Sequence, residues 1–523
     1  MTEDGNGLPE LPLGWVLTTL DESAQIILGQ SPPSSTYNED GVGLPFYQGK
    51  AEFGDTYPTP RKWCSQPKKI AEKGDVLISV RAPVGPTNIC PEKSCIGRGL
   101  AAIRGLDGIQ PRFILYLMRL YENVLAGRGT GTTFNAITGS QLRGFEIPLP
   151  PLPEQQRIVA KIEELFTQLD AGVAALEKAR AQLRRYRQAV LKAAVEGELT
   201  REWREAHRGE LEPASVLLGR ILEERRGRWE AEQLEKMRAK GKAPRDDKWK
   251  QKYKEPVPPD ALKLPELPEG WAWARWEQIG FSQNGRAFPS KEYQPSGFRL
   301  LRPGNLHASG KVVWTEKNTR YMPERWAKEF PRHIVGPGEL VMNLTAQSLK
   351  DDFLGRACMT GPTDYCLLNQ RIARLTPVEV SSVYLLWLFK SKVFRRFVDG
   401  LNTGSLIQHM FTSQLVDFPL PLPPLVEQER ISIEVERCIS VADEMEKAVE
   451  QSLKRAKRLR QSILKRAFEG KLAPQDPSDE PASTLLERIK AEKARREVER
   501  RARGRSGKQR SNSSWRCSSD GGK

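Results

Sequence analysis

Two short stretches of the chain carry residues that could do chemistry. Asp246-Asp-Lys248 has the carboxylates and the lysine of a nuclease site, whereas Gly127-Arg-Gly-Thr-Gly-Thr-Thr133 could place backbone N–H groups against a phosphate. No strand pattern surrounds the first stretch, so a solvated, charged linker also explains it. The second lacks a strand–helix unit of nucleotide-binding length, and a turn against DNA phosphates fits it better than a nucleotide site.

The sequence lacks the motifs that a self-contained enzyme would need. It has no GxxxxGK[ST] loop for ATP and no [DN]PP[YF] tetrapeptide to hold a flipped adenine. Its seven cysteines are scattered without a CxxC pair, and neither His333 nor His409 has metal-ligand or triad spacing around it. We therefore expect no catalytic, metal or cofactor site in this chain. A self-contained DNA methyltransferase or nuclease is the alternative.

The charge of the chain predicts a nucleic-acid partner. The formal net charge is +16 over 523 residues, which favours binding to a polyanion. Arginine pairs with guanine and Asn or Gln with adenine, while lysine and backbone amides hold phosphates. For each candidate below, a plain solvated role is the alternative. The predicted DNA-contacting residues, which lie in loops or Gly-rich turns, are Gln48, Lys50, Arg81, Arg98, Arg128, Thr130, Thr132, Asn135, Arg302, Asn305, Lys311, Asn343, Gln347, Lys350, Ser405 and Gln408.

Internal repeats in the sequence indicate how the chain is organised and therefore how these residues are positioned. Four phrases occur twice and in the same order: LPELPLGW (8–15) and LPELPEGW (264–271), PLPPLPEQQRI (148–158) and PLPPLVEQERI (421–431), VLKAAVEGEL (190–199) and ILKRAFEGKL (463–472), and EPASVLLGRI (212–221) and EPASTLLERI (480–489). The chain is therefore two copies of one unit. The stretches between these phrases match only in pattern, which indicates a common scaffold with divergent reading surfaces.

Each copy begins with a mixed region. Short β-like runs such as 75–80 and 370–375 alternate with turn residues, and short helices are expected at 112–121 and 383–389. The Pro-rich phrase then leads into a helix, with Glu154 or Glu427 placed where the helix dipole favours negative charge. A polyproline ligand for an SH3-like domain is the alternative interpretation of this phrase.

A long amphipathic helix follows each mixed region. Apolar residues recur at steps of three, four or seven from Ile158 to Val190 and again from Ile431 to Ile463, which is the heptad pattern. One such stripe cannot be buried alone, so we expect the two helices to form an antiparallel intramolecular coiled coil of roughly 65 Å. The predicted fold class is α+β, with two globular domains in tandem repeat joined by these helices.

The domain boundaries follow from the repeats and from composition. We predict a first globular domain at 1–150, a spacer helix at 151–200, a charged, partly helical linker at 201–263, a second globular domain at 264–422, a second spacer helix at 423–472, and a helical then disordered basic tail at 473–523. No apolar run approaches a membrane span, and MTEDGNGLPELP lacks the features of a secretory signal. We expect a cytoplasmic protein with no membrane partner.

The repeated motifs resemble the specificity (S) subunits of type I restriction–modification enzymes. The resemblance rests on LPxLPxGW, PLPPLxEQxRI and LKxAxEGxL in both copies, and it extends to about Leu486. It implies a non-catalytic subunit whose two target-recognition domains read the halves of a bipartite, asymmetric site on double-stranded DNA. It also implies that two methyltransferase (M) subunits dock on the helices and that two restriction (R) subunits join that core.

The same resemblance places the cofactors on the partners. S-adenosylmethionine belongs to the M subunits, which methylate adenine N6, and ATP and Mg²⁺ are expected on partner subunits. A coiled-coil scaffold that binds DNA without sequence preference is a further alternative. A rod of roughly 65 Å spans less than two turns of duplex, so the half-sites need a short fixed gap. Four residues inserted within 176–190 should lengthen that gap.

Overall fold

The computed structural model describes residues 11–128, 136–241, 244, 246–347, 352–401 and 408–495. The chain divides into two compact units, unit 1 (Met1–Leu176 with Glu450–Lys523) and unit 2 (Glu177–Val449). Both units combine small β-sheets, short helices and parts of two long helices, which confirms the predicted α+β class with two sheet-rich regions. Among the described residues, every helix is too short or too polar to cross a lipid bilayer.

Unit 1 begins with short strands and ends its globular part at a long helix. The strands are β1 (Val16–Thr19), β2 (Ala24–Leu28), β3 (Tyr37–Asn38), β4 (Leu44–Tyr47), β5 (Lys62–Cys64), β6 (Ile70–Ala71), β7 (Val76–Ser79), β8 (Thr87–Ile89), β9 (Ser94–Ile96), β10 (Leu100–Gly105) and β11 (Glu146–Leu149). The helices are α1 (Leu20–Ser23), α2 (Pro111–Leu120), α3 (Glu122–Gly127), α4 (Gly139–Arg143) and α5 (Leu152–Val195), with 3-10 turns at Ser34–Thr36 and Lys50–Glu52. The last part of α5 belongs to unit 2.

The strands of unit 1 form three sheets. The sheets have the orders β1-β11, β2-β10-β7-β8 and β3-β5-β4-β9-β6. All four residues of β7, three of them apolar, are buried, and this strand lies between two neighbours, as a mostly apolar run predicts. In the five-stranded sheet β4 and β9 are parallel neighbours, with Phe46 opposite Cys95. The carboxyl ends of β4 and β9 therefore meet at one edge.

Unit 2 also combines short strands and helices with a part of each long helix. Its strands are β12 (Ala272–Arg275), β13 (Gly280–Asn284), β14 (Phe298–Leu301), β15 (Tyr321–Met322), β16 (Ile334–Val335), β17 (Leu340–Asn343), β18 (Thr345–Ala346), β19 (Ala357–Met359), β20 (Cys366–Leu368), β21 (Ile372–Pro377), β22 (Gln408–His409) and β23 (Pro419–Leu422). Its helices are α6 (Arg201–Ala206), α7 (Ala214–Ala239), α8 (Trp276–Ile279), α9 (Arg325–Glu329), α10 (Ser382–Phe389), α11 (Lys392–Gly400), α12 (Thr412–Leu415) and α13 (Leu425–Phe468), whose last part belongs to unit 1. Its 3-10 turns are Asp247–Lys252, Ala261–Lys263, Ser290–Glu292, Pro303–Asn305 and Pro331–His333.

Unit 2 repeats the strand order of unit 1. The orders are β12-β23, β13-β21-β17-β19, β15-β14-β20-β16 and β18-β22. The sheet β13-β21-β17-β19 corresponds strand for strand to β2-β10-β7-β8, and β14 and β20 are parallel like β4 and β9. Regions that share little sequence therefore share one topology, so an element of one unit can be assigned its equivalent in the other.

The two long helices contact each other within each unit. Both helices have 44 residues. In unit 2, Arg187 of α5 forms ion pairs with Asp443 and Glu446 of α13, at 2.6 and 2.7 Å. In unit 1, Arg460 of α13 pairs with Asp170 of α5, and its guanidinium lies 4.3 Å from the ring centroid of Phe166.

The apolar core of each unit mixes the two copies of the repeat. In unit 1, apolar residues of 463–489, from the end of the second copy, pack with Trp15 and the rest of the first globular part. In unit 2, apolar residues of 190–221, from the end of the first copy, pack with Trp271 and the second globular part. The end of each copy therefore completes the core of the other.

Matching hydrogen bonds hold these exchanged segments. The backbone N–H of Ala482 donates to the carbonyl of Gly14 at 2.9 Å, and that of Ala214 donates to Gly270 at 2.8 Å. Gly14 and Gly270 both adopt positive φ, 79° and 85°, which explains a glycine before tryptophan in both LPxLPxGW phrases.

The start of α13 forms a joint with three hydrogen-bond donors. Glu427, in the first turn, is fully buried and accepts from the indole Nε1 of Trp271 at 2.8 Å. Its other oxygen accepts from the hydroxyl of Thr200 and from the guanidinium of Arg204, both at 2.7 Å. The carboxylate is therefore paired with a cation inside the protein.

The start of α5 forms the equivalent joint with fewer donors. Glu154 is 1% exposed and accepts from Nε1 of Trp15 at 2.9 Å through Oε2, but among the described residues Oε1 has no donor. The nearby Arg157 pairs instead with Asp479. Burial raises the pKa of Glu154 above its usual range, while the bond from Trp15 and the charge of Arg157 oppose the rise.

Candidate nucleic-acid interface

Four of the predicted DNA-contacting residues of unit 1 line one cavity. Gln48, Lys50, Arg81 and Arg98 surround a volume of about 200 Å³, and all four are exposed. Gln48 follows β4 and Arg98 follows β9, so the parallel pairing of these strands brings their following loops together. Arg81 follows β7 from the neighbouring sheet. The fold thus gathers two arginines, a lysine and an amide at one edge.

Backbone hydrogen bonds fix this edge. The N–H groups of Gln48 and Gly49 donate to the carboxylate of Glu52 at 3.4 and 3.1 Å, and the N–H of Val80 donates to the carbonyl of Gly99 at 2.9 Å. A Cβ at Gly99 would lie 2.3 Å from the carbonyl oxygen of Gln48, so only glycine fits. The candidate DNA-contacting side chains therefore project from a backbone that is held in place.

The remaining candidates of unit 1 lie around the loop after α3. Arg128 is exposed, and its guanidinium is 5.0 Å from the ring centroid of Phe145. Thr130, Thr132 and Asn135 lie outside the described residues. Contact of these four residues with DNA stays a prediction.

Among the candidates of unit 2, Arg302 occupies the position that corresponds to Gln48. Arg302 directly follows β14 as Gln48 follows β4, and its half-buried side chain places the guanidinium 5.6 Å from the ring centroid of Tyr293. The side-chain oxygen of Asn305 accepts from the backbone N–H of Arg302 at 2.9 Å, as Glu52 does for the loop after β4. Asn305 is 1% exposed, so its amide supports the turn and is not oriented to read a base.

Asn343 is the second candidate whose side chain points into the protein. Its side-chain amide is fully buried and donates to the carbonyls of Thr345 and Phe353 at 2.7 and 2.8 Å. These bonds hold the strand end beside the loop that follows it. The geometry favours a supporting role over base contact at this position.

The other candidates of unit 2 are dispersed. Lys311 is exposed and forms a bridge with Met359 at the end of β19, and Gln347 is exposed just after β18. Gln408 is half-buried in β22, where it pairs with Ala346 of β18. Lys350 and Ser405 lie outside the described residues.

Residues that the sequence did not single out lie at the corresponding edge of unit 2. Gln370 and Arg371 are exposed two and three residues after β20, where Arg98 and Gly99 follow β9. The backbone N–H of Gln370 donates to the carbonyl of Arg286 at 2.9 Å, and the guanidinium of Arg286 lies 3.7 Å from the ring centroid of Phe330. Alignment of the strand triplets SCI of β9 and CLL of β20 could have predicted this place.

Of the two stretches considered first for chemistry, the structure places Asp246-Asp-Lys248 at the start of a 3-10 turn. Asp246 caps a 3-10 turn by accepting from the N–H of Lys248 at 3.1 Å. Most of Gly127–Thr133 lies outside the described residues. Within the residues that the structure describes, no group of three or more His, Cys, Asp or Glu side chains is placed to hold a metal ion.

Comparison with known proteins identifies the scaffold that carries these residues. Residues 12–181 match the family model described as type I restriction modification DNA specificity domain. The MjaX specificity subunit of Methanocaldococcus jannaschii is 45% identical over 159 residues, which are 30% of this chain and 37% of that relative. The type I restriction enzyme EcoDI specificity subunit of Escherichia coli is 24% identical over 510 residues, covering 93% of this chain and 96% of that relative.

The chain is therefore similar over most of its length to type I restriction enzyme specificity subunits. A solved chain described under "complex assembly and conformational transition of the type I R-M system" matches it with a TM-score of 0.62 and 19% identity. The match covers 88% of this chain and 100% of that chain, so the two share a fold. Within the specificity-subunit fold, the edge that follows β4, β7 and β9, and its counterpart in unit 2, are the candidate nucleic-acid interface.

Proposed function

We propose that this chain is the sequence-specific DNA-binding subunit of a type I restriction–modification complex. The observation that carries the proposal is correspondence over nearly the full length to specificity subunits, including both copies of the repeat. Two regions share one strand order but carry different side chains at the same edge, which suits two domains that read different half-sites. The proposed target is a bipartite, asymmetric site on double-stranded DNA.

We assign the domains of this proposal as the repeats indicate. Residues 1–150 and 264–422 are the target-recognition domains, and 151–200 and 423–472 are the spacer helices. Residues 201–263 are the connecting segment, and 473–523 are the tail. The burial of Ala214, Leu217 and Ile221 supports a structural role for part of the connecting segment, beyond that of a tether.

We further propose that α5 and α13 form one antiparallel coiled coil. In unit 2, Arg187 of α5 pairs with Asp443 of α13, and in unit 1 Asp170 pairs with Arg460. Both observations suit helices that run in opposite directions. Helices of 44 residues would be about 66 Å long, which limits the gap between half-sites to less than two turns of duplex.

The chemistry of the complex is assigned to partners in this proposal. Two M subunits would bind S-adenosylmethionine and methylate adenine N6, and two R subunits would use ATP and Mg²⁺ to cleave DNA. This chain would hold no cofactor and would act in the cytoplasm. Incubation of the isolated chain with DNA, Mg²⁺ and S-adenosylmethionine should give no turnover; methylation or cleavage would contradict this division.

The decisive experiment maps N6-methyladenine in host DNA with and without this chain. We expect one bipartite motif to lose its methylation when the chain is deleted and to regain it on complementation. Complementation with a chain that carries Lys328→Ala, an exposed residue of α9 outside the predicted DNA-contacting set, is the matched control and should restore the full motif. An unchanged methylation map after deletion would contradict the proposed function.

A further inference from the structure

A basic cavity lies in unit 2 at the start of α11. Its volume is about 210 Å³, and its charged lining comprises Arg356, Lys390, Lys392, Arg395 and Asp352. The lining thus carries four cations and one anion. Such an excess inside one cavity favours a negatively charged ligand.

Several donors in this cavity have no acceptor in the described part of the protein. Ser391 is 1% exposed, lines the cavity, and its hydroxyl has no hydrogen-bond partner. The Nε of Arg356 is buried and likewise without a partner, although its terminal nitrogens reach Asp352 and the carbonyl of Leu306. A buried donor without an acceptor destabilises the folded state, so this cavity suits an acceptor-rich ligand.

Lys390 adds a cation that burial leaves poorly stabilised. Its ammonium group donates to the carbonyl of Ala308 at 2.7 Å. Desolvation lowers the pKa of Lys390 to about 8, and the neighbouring Arg356 acts in the same direction. Asp352, Cys358 and Asp443 oppose this shift without cancelling it. A bound anion would stabilise the charged form of this lysine.

The backbone at the start of α11 also favours a negatively charged ligand. This helix has nine residues, Ser391 is its N-cap in an extended conformation, and the Ser391 side chain makes no capping bond. The first N–H groups of a helix have no internal partner, and the helix dipole places partial positive charge there. Lys392 adds positive charge at the same end, the opposite of the usual preference, whereas Arg395 is already paired with Asp399 at 2.8 Å. A ligand with negative charge would offset the charge of Lys392 and accept from the free N–H groups.

Unit 1 keeps one cation of this cluster at the comparable place. Arg119 of α2 donates to the carbonyl of Asp55, as Lys390 donates to that of Ala308. The other groups differ: Pro86 precedes the edge strand β8 where Arg356 precedes β19, and the helix pair α2–α3 has Tyr121 and Glu122 where α10–α11 has Ser391 and Lys392. The common fold therefore carries a cation here in both units, whereas Arg356, Ser391 and Lys392 need an explanation particular to unit 2.

We propose that the cavity at the start of α11 binds a phosphate group through Ser391, Lys390, Arg356 and the first N–H groups of the helix. The ligand class is a tetrahedral oxyanion, from either free inorganic phosphate or a phosphodiester of bound DNA. The site stands independently of the proposed function, and only its DNA source rests on that function.

Calorimetry with the full-length chain tests the site. Inorganic phosphate, titrated at constant ionic strength, should bind saturably to the wild type. Lys390→Met and Ser391→Ala should each weaken binding about tenfold, because each removes a charge-assisted hydrogen bond. Lys328→Met, at an exposed position of α9, is the matched control and should bind as the wild type. Thermal unfolding of every variant checks that it is folded.

A second measurement distinguishes the two sources. If DNA supplies the phosphate, Lys390→Met should weaken binding of all duplexes alike and reduce the slope of log K against log salt by about 0.9. If free phosphate is the ligand, duplex affinity stays unchanged while the calorimetric signal is lost. The proposal is overturned if the wild type shows no saturable phosphate binding, or if Lys390→Met and Ser391→Ala bind phosphate as the control does. Neither of these two outcomes would bear on the methylation map, which tests the proposed function separately.

Discussion

Both copies of the repeat begin their long helix with the same buried glutamate, but among the described residues only that of the second copy, Glu427, is paired with a largely buried arginine. Glu427 receives hydrogen bonds from Trp271, Thr200 and Arg204, whereas Glu154 receives one from Trp15. The helix-start phrase is shared, so the difference arises in the segment that packs against it from the other copy.

That segment diverges where it meets the carboxylate. After the phrase LKxAxEGxL, the first copy continues with Thr200 and helix α6, which contains Arg204. At the same offsets the second copy has Ala473 and Pro477, and its segment before EPAS is five residues shorter, since the repeat shift falls from 273 to 268. The same motif can therefore have different charged partners in the two copies, because those partners come from a segment far away in sequence.

The largest contrast between the joints should follow from removing the charge of Glu427. Glu427→Gln leaves the guanidinium of Arg204, only 14% exposed, without its carboxylate, and we expect a loss of about 3–5 kcal/mol in local stability. Hydrogen–deuterium exchange of the amides around residues 200–204 and 427 measures it. Glu154→Gln is the matched control, and it should cost little because no buried cation depends on Glu154. Equal losses in the two variants would contradict the contrast.

The hydroxyl of Thr200 should account for the next largest part of the difference in stability between the starts of α13 and α5. Thr200→Val keeps the shape of the side chain but removes its bond to the Glu427 carboxylate, and we expect a loss of about 1.5–3 kcal/mol. Exchange of the same amides provides the measurement. Thr18→Val removes a comparable bond to Glu22, whose side chain is 41% exposed, and should cost less. A larger effect of Thr18→Val would show that burial does not set the difference.

Substitutions at the candidate interface of unit 1 and at its counterpart in unit 2 should weaken binding to different halves of the DNA site. Arg98→Ala and Gln370→Ala alter equivalent places after β9 and β20, and each should cost about 1–3 kcal/mol for its own half-site if the side chain reads a base. Binding assays with duplexes altered in one half at a time would reveal the change. Lys62→Ala, exposed on β5, is the control for unit 1 and should leave both halves unchanged. Relaxed specificity in the wrong half would contradict the equivalence of the two edges.

The smallest expected contrast is in pH dependence. Burial raises the pKa of Glu154 in the folded protein, so its contribution to stability is fully present below the ordinary value of 4.5 and is lost as pH rises through the raised value. Relative to the wild type, Glu154→Gln should therefore gain stability as pH rises through this window. The groups that face this carboxyl are Trp15, Arg157 and Asp479. Urea unfolding of both proteins across pH measures the difference, and parallel profiles would refute the assignment.

The sequence predicted the repeated architecture well because local patterns determine it. The Pro-rich phrase and the heptads predicted a spacer helix at 151–200, and α5 spans Leu152–Val195. The bond between Trp15 and Glu154 joins residues 139 apart, and no local pattern reports such a contact. Asn305 and Asn343 show a second limit, because an amide that supports a turn and one that reads a base have the same side chain.

The exchange of segments between the cores has a consequence for synthesis on the ribosome. Unit 2 is continuous in the chain, whereas unit 1 needs residues 463–489, which are made long after 11–176. At about 5–20 residues per second, the first globular part waits about 15–60 s for the segment that completes its core. The related segment 190–221 emerges earlier, before its own partner has been made. A segment with the same LKxAxEGxL and EPAS motifs is therefore present during most of this interval.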